Sequence, residues 1–249
     1  NLTNSGAGTV TLEIADTAST TVANLTSVVA DVIKFTTDGT AAIVADVNEG
    51  TVVDLAGDMT AGGVLTLDVG NSTDNTAYTA GEGTLLLNVS DNQTTSAVTT
   101  DAGVGTLILN ATPDEATDTD ADANGTAETN ITITNLDTAT STKTETVVIQ
   151  GSSDLTITTL TNDTTSSVVS ASTMTGNLTI DTTTAAGTYV LGSGDNSVTV
   201  GNVASTIHGG AGVDTLTGRT AADTLNGGAG DDVIAGGATG ANTIDAGAG

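Results

Sequence analysis

Three aspartates, Asp214, Asp223 and Asp232, stand nine residues apart in the stretch GGAGVDTLTGRTAADTLNGGAGDDVIAGG (209–237), each preceded by a turn-forming run that is mostly glycine. Glycine adopts backbone angles closed to other residues and can turn its carbonyls toward a common point. Carboxylates added to such a point make an all-oxygen shell, the kind that suits a hard divalent cation such as calcium. Other chemistry lacks its parts. The chain has no cysteine and one histidine, His208, and carries no zinc-protease or G-x-S-x-G motif. A glycosidase pair is allowed by residue type, but only Phe35, Tyr78 and Tyr189 are aromatic, which leaves no platform for a sugar. We expect no catalytic site, and we read His208 as a surface residue.

The elements that must position these aspartates follow from the spacing. In nines the chain reads LGSGDNSVT (191–199), VGNVASTIH (200–208), GGAGVDTLT (209–217), GRTAADTLN (218–226), GGAGDDVIA (227–235) and, with one insertion, GGATGANTID (236–245). The sixth position holds Asn196, Ser205, Asp214, Asp223, Asp232 and Asn242; the eighth holds Val198, Ile207, Leu216, Leu225, Ile234 and Ile244. A flexible linker has no reason to keep that frame. Each unit therefore reads as a six-residue turn and a three-residue strand, with the eighth residue pointing inward and its neighbours outward. Two units make one turn of a flattened right-handed coil, so alternate units stack on the same edge. A cation between stacked turns then collects carbonyl oxygens and two carboxylates.

This pattern resembles the RTX family, whose glycine- and aspartate-rich nonapeptides wind into a calcium-filled parallel β-roll. The match is close in GGAGVDTLT and GGAGDDVIA and covers about a fifth of the chain. The resemblance implies calcium ligands from Asp214 and Asp232 on one edge, with the carbonyls of Gly210, Gly212, Gly228 and Gly230 and their neighbours, among them Asp231, completing the shell. Asn196 extends that edge with a neutral oxygen. The other edge offers Ser205, Asp223 and Asn242, but its unit GRTAAD lacks two glycines. There Arg219 is expected to place its own cation where a metal would otherwise sit.

Upstream, short alternating runs recur between turn clusters: VTLEIAD (10–16), VIKFTTD (32–38), AAIVADV (41–47), TVVDLAG (51–57), VLTLDVG (64–70), TLLLNVS (84–90), TLILNAT (106–112), NITITNLD (130–137), ETVVIQG (145–151), DLTITTL (154–160) and NLTIDTT (177–183). Each reads as a strand of about five residues. Two all-β architectures fit: an irregular parallel β-helix continuous with the roll, or β-sandwich modules preceding it. The scarcity of aromatics and the unbroken passage into the roll favour the solenoid, whose stacked Val, Leu and Ile layers form a core without large side chains. The expected organisation is a strand-rich region over 1–112, an acidic loop over 113–129, a strand-rich continuation over 130–190 and the calcium roll over 191–249. In the acidic loop, Asp120, Asp122, Asn124 and Gly125 match the first half of an EF-hand loop, but Ile131 falls where its bidentate glutamate belongs. This segment reads either as a solvated acidic loop or as a second, non-EF calcium loop using Asp118, Asp120, Asp122 and Asn124.

The charge balance bounds the partners. Thirty acidic residues face three basic ones, a net charge of −27. Such a field repels nucleic acid and anionic lipid headgroups. No apolar run approaches the ~20 residues of a membrane span. With no disulfide, a metal is the expected staple. The chain opens at Asn1 without a methionine and stops partway into a repeat, so it reads as a piece of a longer protein. In composition it is most like calcium-dependent bacterial surface-layer proteins of the RTX type. That resemblance implies type I secretion, an extracellular cell-surface location and a lattice or filament of copies of itself, with cell-surface polysaccharide a candidate second partner. The alternatives are the stalk of a large secreted RTX adhesin and the RTX secretion domain of a type I-secreted enzyme.

Overall fold

A computed structural model of the chain describes residues 11–14, 21–24, 30–35, 42–48, 50–55, 64–70, 83–90, 94–100, 104–112, 130–138, 146–161, 167–182 and 186–249. Among them there is no helix. Strands run from β1 (Thr11–Ile14) to β21 (Thr243–Asp245) and sort by parity, eleven odd-numbered strands in one sheet and ten even-numbered strands in the other. Each strand pairs in parallel with the strands two before and two after it. A chain that alternates between two sheets and always returns in parallel is a β-solenoid, so of the two architectures open to the sequence the structure takes the solenoid. The sandwich alternative fails because sandwiches are built from antiparallel pairs.

The inward positions explain the coil. On one sheet Leu85, Leu107, Val147, Val169, Tyr189, Ile207 and Leu225 stand in register from rung to rung, and all are buried. On the other, Ile133, Ile157, Ile180, Val198 and Leu216 form the matching buried column. Each rung places an aliphatic side chain directly on its equivalent, so the core is narrow and needs no large aromatics. Tyr189 is the one aromatic in its column.

Rung length shortens along the chain. Thr84 pairs with Thr106 and Thr146 with Val168, 22 residues on in each case. In the nonapeptide stretch Thr188 pairs with Thr206 and Thr206 with Thr224, 18 residues on. Here the strands are β14 (Leu178–Thr182), β15 (Gly187–Val190), β16 (Ser197–Thr199), β17 (Thr206–Ala211), β18 (Thr215–Thr217), β19 (Thr224–Ala229) and β20 (Val233–Ala235). Two nines per turn is therefore the observed pitch. The acidic segment 113–129, with Asp118, Asp120, Asp122 and Asn124, lies between β9 (Val104–Thr112) and β10 (Asn130–Thr138) and outside the described residues.

Candidate metal centre

The turns between β16 and β21 carry the sixth-position residues in two stacks, one on each edge of the coil. A shared hydrogen bond fixes them. The side-chain Oδ1 of each residue accepts the backbone N–H of the residue one turn earlier: Asn196 from Leu178 (3.1 Å), Asp214 from Asn196 (2.9 Å) and Asp232 from Asp214 (2.9 Å) on one edge. On the other edge Asp223 accepts from Ser205 (2.9 Å) and Asn242 from Asp223 (2.8 Å). Asp214 and Asp223 are buried, at 0% and 1% exposure.

That bond uses one carboxylate oxygen. The second, Oδ2, is buried and has no hydrogen-bond partner in Asp214, Asp223 and Asp232 alike. A lone buried acceptor is costly, and more so when charged. What surrounds each oxygen makes matters worse. A methyl group on Gly209 would strike both Asp214 Oδ2 and the carbonyl oxygen of Gly227. On Gly227 it would strike Asp232 Oδ2 and the carbonyl oxygen of Ala246, and on Gly218 it would strike Asp223 Oδ2 and the carbonyl oxygen of Gly236. Each glycine thus leaves open a small cradle bordered by a carboxylate oxygen and a carbonyl oxygen, two acceptors with no proton between them. Burial holds the Asp214 carboxyl above its usual range despite the bonds from Asn196, and neighbouring Asp232 and Asp195 push the same way. A divalent cation satisfies such an arrangement, and oxygen ligands of this mixed kind are what calcium accepts. Among the described residues no three acidic or histidine side chains converge, so carbonyl oxygens must supply much of the shell.

The expected ligands divide on inspection. Asp214 and Asp232 share one edge, as the resemblance implied, and Asp223 occupies the other in the same manner. Gly210 and Gly228 pair in register at φ 102° and 106°, angles that glycine tolerates and other residues rarely adopt. Gly212 and Gly230 share that positive sign. The carbonyl of Gly228, however, already accepts the Ala248 N–H at 2.7 Å. The carbonyls that border the unpartnered oxygens belong instead to position one: Gly227, Gly236 and Ala246. Attention to the second and fourth positions passed over these.

Asn196 and Asn242 depart further from the expectation of neutral oxygen ligands. Each amide oxygen holds a backbone N–H, and each NH2 faces a carbonyl, as described below. Asp231 is exposed at the rim of a cleft with Gly230, Asp232, Ala246, Gly247 and Gly249. Arg219 is a correction: its Nη2 reaches Asp181 Oδ1 on β14 at 2.8 Å, with both side chains about half exposed, rather than filling the turn beside Asp223. The long side chain finds a carboxylate in water and avoids burial. His208 is exposed on β17. A second ladder at position five had no forecast: Asn177 Oδ1 accepts the Asp195 N–H and Asp195 Oδ1 the Val213 N–H, each at 2.7 Å.

A parallel β-solenoid whose turns gather buried carboxylate and carbonyl oxygens is a cation-binding coil. Residues 190–220 and 208–239 match the model of the RTX calcium-binding nonapeptide repeat. RTX calcium-binding repeats are therefore present over about a fifth of the chain, and their ion is calcium. No curated protein and no solved structure matches the chain.

Proposed function

We propose that the chain is an extracellular structural protein that folds on calcium and assembles with copies of itself into a lattice or filament at the cell surface. The observation that carries the calcium part is the set of three buried carboxylate oxygens left without partners on the coil edges. In a chain of net charge −27, copies repel one another unless cations bridge them, so the same ion serves folding and assembly. The non-catalytic reading rests on the residue inventory, with one histidine, no cysteine and almost no aromatic or basic side chains. Bridging at contacts between copies uses exposed carboxylates such as Asp231 and, as a second calcium loop, Asp118, Asp120, Asp122 and Asn124.

The test is a calcium titration of chelator-stripped protein, with β-structure followed by circular dichroism and assembly by electron microscopy. Folding into ordered arrays supports the surface-layer reading. Folding into monomers moves it to an adhesin stalk or an enzyme's secretion domain. Full β-structure in chelator sinks the calcium mechanism.

A further inference from the structure

Six nonapeptide turns present a sixth-position side chain on nearly the same backbone frame, and they split by the atom in which that side chain ends. Where it ends in a hydrogen-bond donor, the donor finds an oxygen of its own chain. The NH2 of Asn196 donates to the carbonyl of Gly194 at 2.7 Å, to Asp214 Oδ1 at 2.9 Å and, at 3.5 Å, to the carbonyl of Gly209. The Ser205 hydroxyl donates to the carbonyl of Val203 at 3.0 Å. The Asn242 NH2 donates to the carbonyl of Gly236. Where the side chain ends in a carboxylate oxygen, at Asp214, Asp223 and Asp232, that oxygen has no partner.

The places correspond. A methyl group on Gly236 would meet the Asn242 amide nitrogen, just as one on Gly218 would meet Asp223 Oδ2. Gly209, whose carbonyl faces the Asn196 NH2, is the position-one counterpart of Gly227, whose carbonyl borders Asp214 Oδ2. Asn196 is 2% exposed and Ser205 5%, so neither donor has water to fall back on. An N–H or O–H proton carries the partial positive charge that those carbonyls need.

Resting on the calcium reading above, we propose that the sixth position decides turn by turn whether the coil requires a cation. Asn196, Ser205 and Asn242 act as built-in substitutes whose donors replace the ion, and only the turns of Asp214, Asp223 and Asp232 take one. Each metal stack then begins on an ion-free rung, at Asn196 on one edge and at Ser205 on the other. These rungs sit against β14 and β15, beside the hydrocarbon core, and offer a finished template for the calcium turns that follow. Asn242 closes the second edge at its other end.

The test exchanges donor for acceptor. In Asn196→Asp the new Oδ2 faces the carbonyls of Gly194 and Gly209 and the Asp214 carboxylate, a cluster that only a cation can hold. Asn242→Asp repeats the change on the other edge. Calcium bound per chain is counted by native mass spectrometry at saturating calcium. Each variant is expected to carry one ion more than the unsubstituted chain, and Asp214→Asn one ion fewer while still folding. The Asp214→Asn count serves as well if either aspartate variant fails to fold. Unchanged counts in a parent chain that does bind calcium overturn the proposal, as does loss of an ion in Asn196→Ala. A parent chain that binds no calcium overturns the calcium reading itself, so the two failures are distinguishable.

Discussion

Replacing Asp223 by asparagine should stabilise the protein in chelator and destabilise it in calcium. Asp223 is the single unpartnered carboxylate on its edge, with Oδ2 beside the Gly236 carbonyl and Oδ1 already bonded to the Ser205 N–H. Asparagine keeps the Oδ1 bond and turns the second atom into a donor aimed at that carbonyl. Without calcium the change removes an unsatisfied buried acceptor, a gain of about 1–3 kcal/mol. With calcium the parent gains RT ln(1 + [Ca]/Kd) from this site, about 2.7 kcal/mol at a hundred times Kd and about 4.1 at a thousand times, and the variant does not. The stability curves therefore cross between roughly 5 and 150 times Kd, where the two effects cancel. The assay is urea unfolding of both chains across a calcium series from chelator upward. Unfolding free energy should rise with log calcium about 1.4 kcal/mol per decade less steeply in the variant, one ion's worth. A variant weaker than the parent at every calcium level, chelator included, refutes the reasoning. Asp223 would then be a structural acceptor that needs no ion.

Other perturbations probe the coil itself. Leu216→Ala removes a fully buried side chain from the Val198–Leu216–Ile234 column and should cost about 2–5 kcal/mol, whereas Thr215→Ala on the outward face should stay within about 0.5; urea unfolding in saturating calcium reads both. Gly228→Ala forces a side chain into φ 106° and drives its Cβ onto the Gly210 carbonyl oxygen, so thermal melts should show a loss of at least about 1–3 kcal/mol. Far from the metal turns, burial raises the Asp54 carboxyl above its ordinary 3.8, with Lys34 pulling the other way. A raised carboxylate destabilises the fold above its folded pKa and ceases to do so once pH falls below 3.8. Asp54→Asn should therefore raise the melting temperature at pH 7, and the gain over the parent should vanish as the pH is lowered; a gain that persists at low pH would mean the carboxylate's charge is not its cause.

How far the sequence reveals this coil depends on what a residue pattern can carry. The eleven alternating runs picked out upstream all overlap strands, because aliphatic alternation is the direct imprint of one buried face. Four strands upstream of residue 191 left no such imprint: β2 (Thr21–Asn24), β8 (Thr94–Thr100), β13 (Ser167–Ser170) and β15. In TTSAVTT a lone valine, Val98, supplies the fully buried side chain, and the rest is threonine, serine and alanine that read equally well as a loop. Parallel pairing was legible only where the period was strict. In the nonapeptides 18-residue stacking follows from frame alone, while the 22-residue rungs before them vary too much to announce themselves. At the metal turns the aspartates were legible by type and spacing, but which oxygen is free was not. Asparagine and aspartate look interchangeable as oxygen donors in a sequence, yet here the amide nitrogen of Asn196 faces the carbonyls and reverses its role.

Charge arithmetic then separates two things calcium can do. Three divalent ions in the Asp214, Asp223 and Asp232 turns carry six positive charges against a net −27, leaving −21. Filling those turns therefore leaves most of the chain's self-repulsion in place. The ion's work in the coil is local: it answers buried oxygens that face one another, where the low dielectric magnifies each uncompensated charge. Bringing two copies together is a different task, because −21 still faces −21 and the carboxylates involved are exposed and screened by salt. Folding on calcium should accordingly be tight and nearly independent of ionic strength, while assembly on calcium should be weak, require more ions and shift with sodium chloride. If folding and assembly instead show the same calcium midpoint and the same salt dependence, the buried turns and the contacts between copies draw on a single class of site. The separation argued from the three orphaned oxygens would then be wrong.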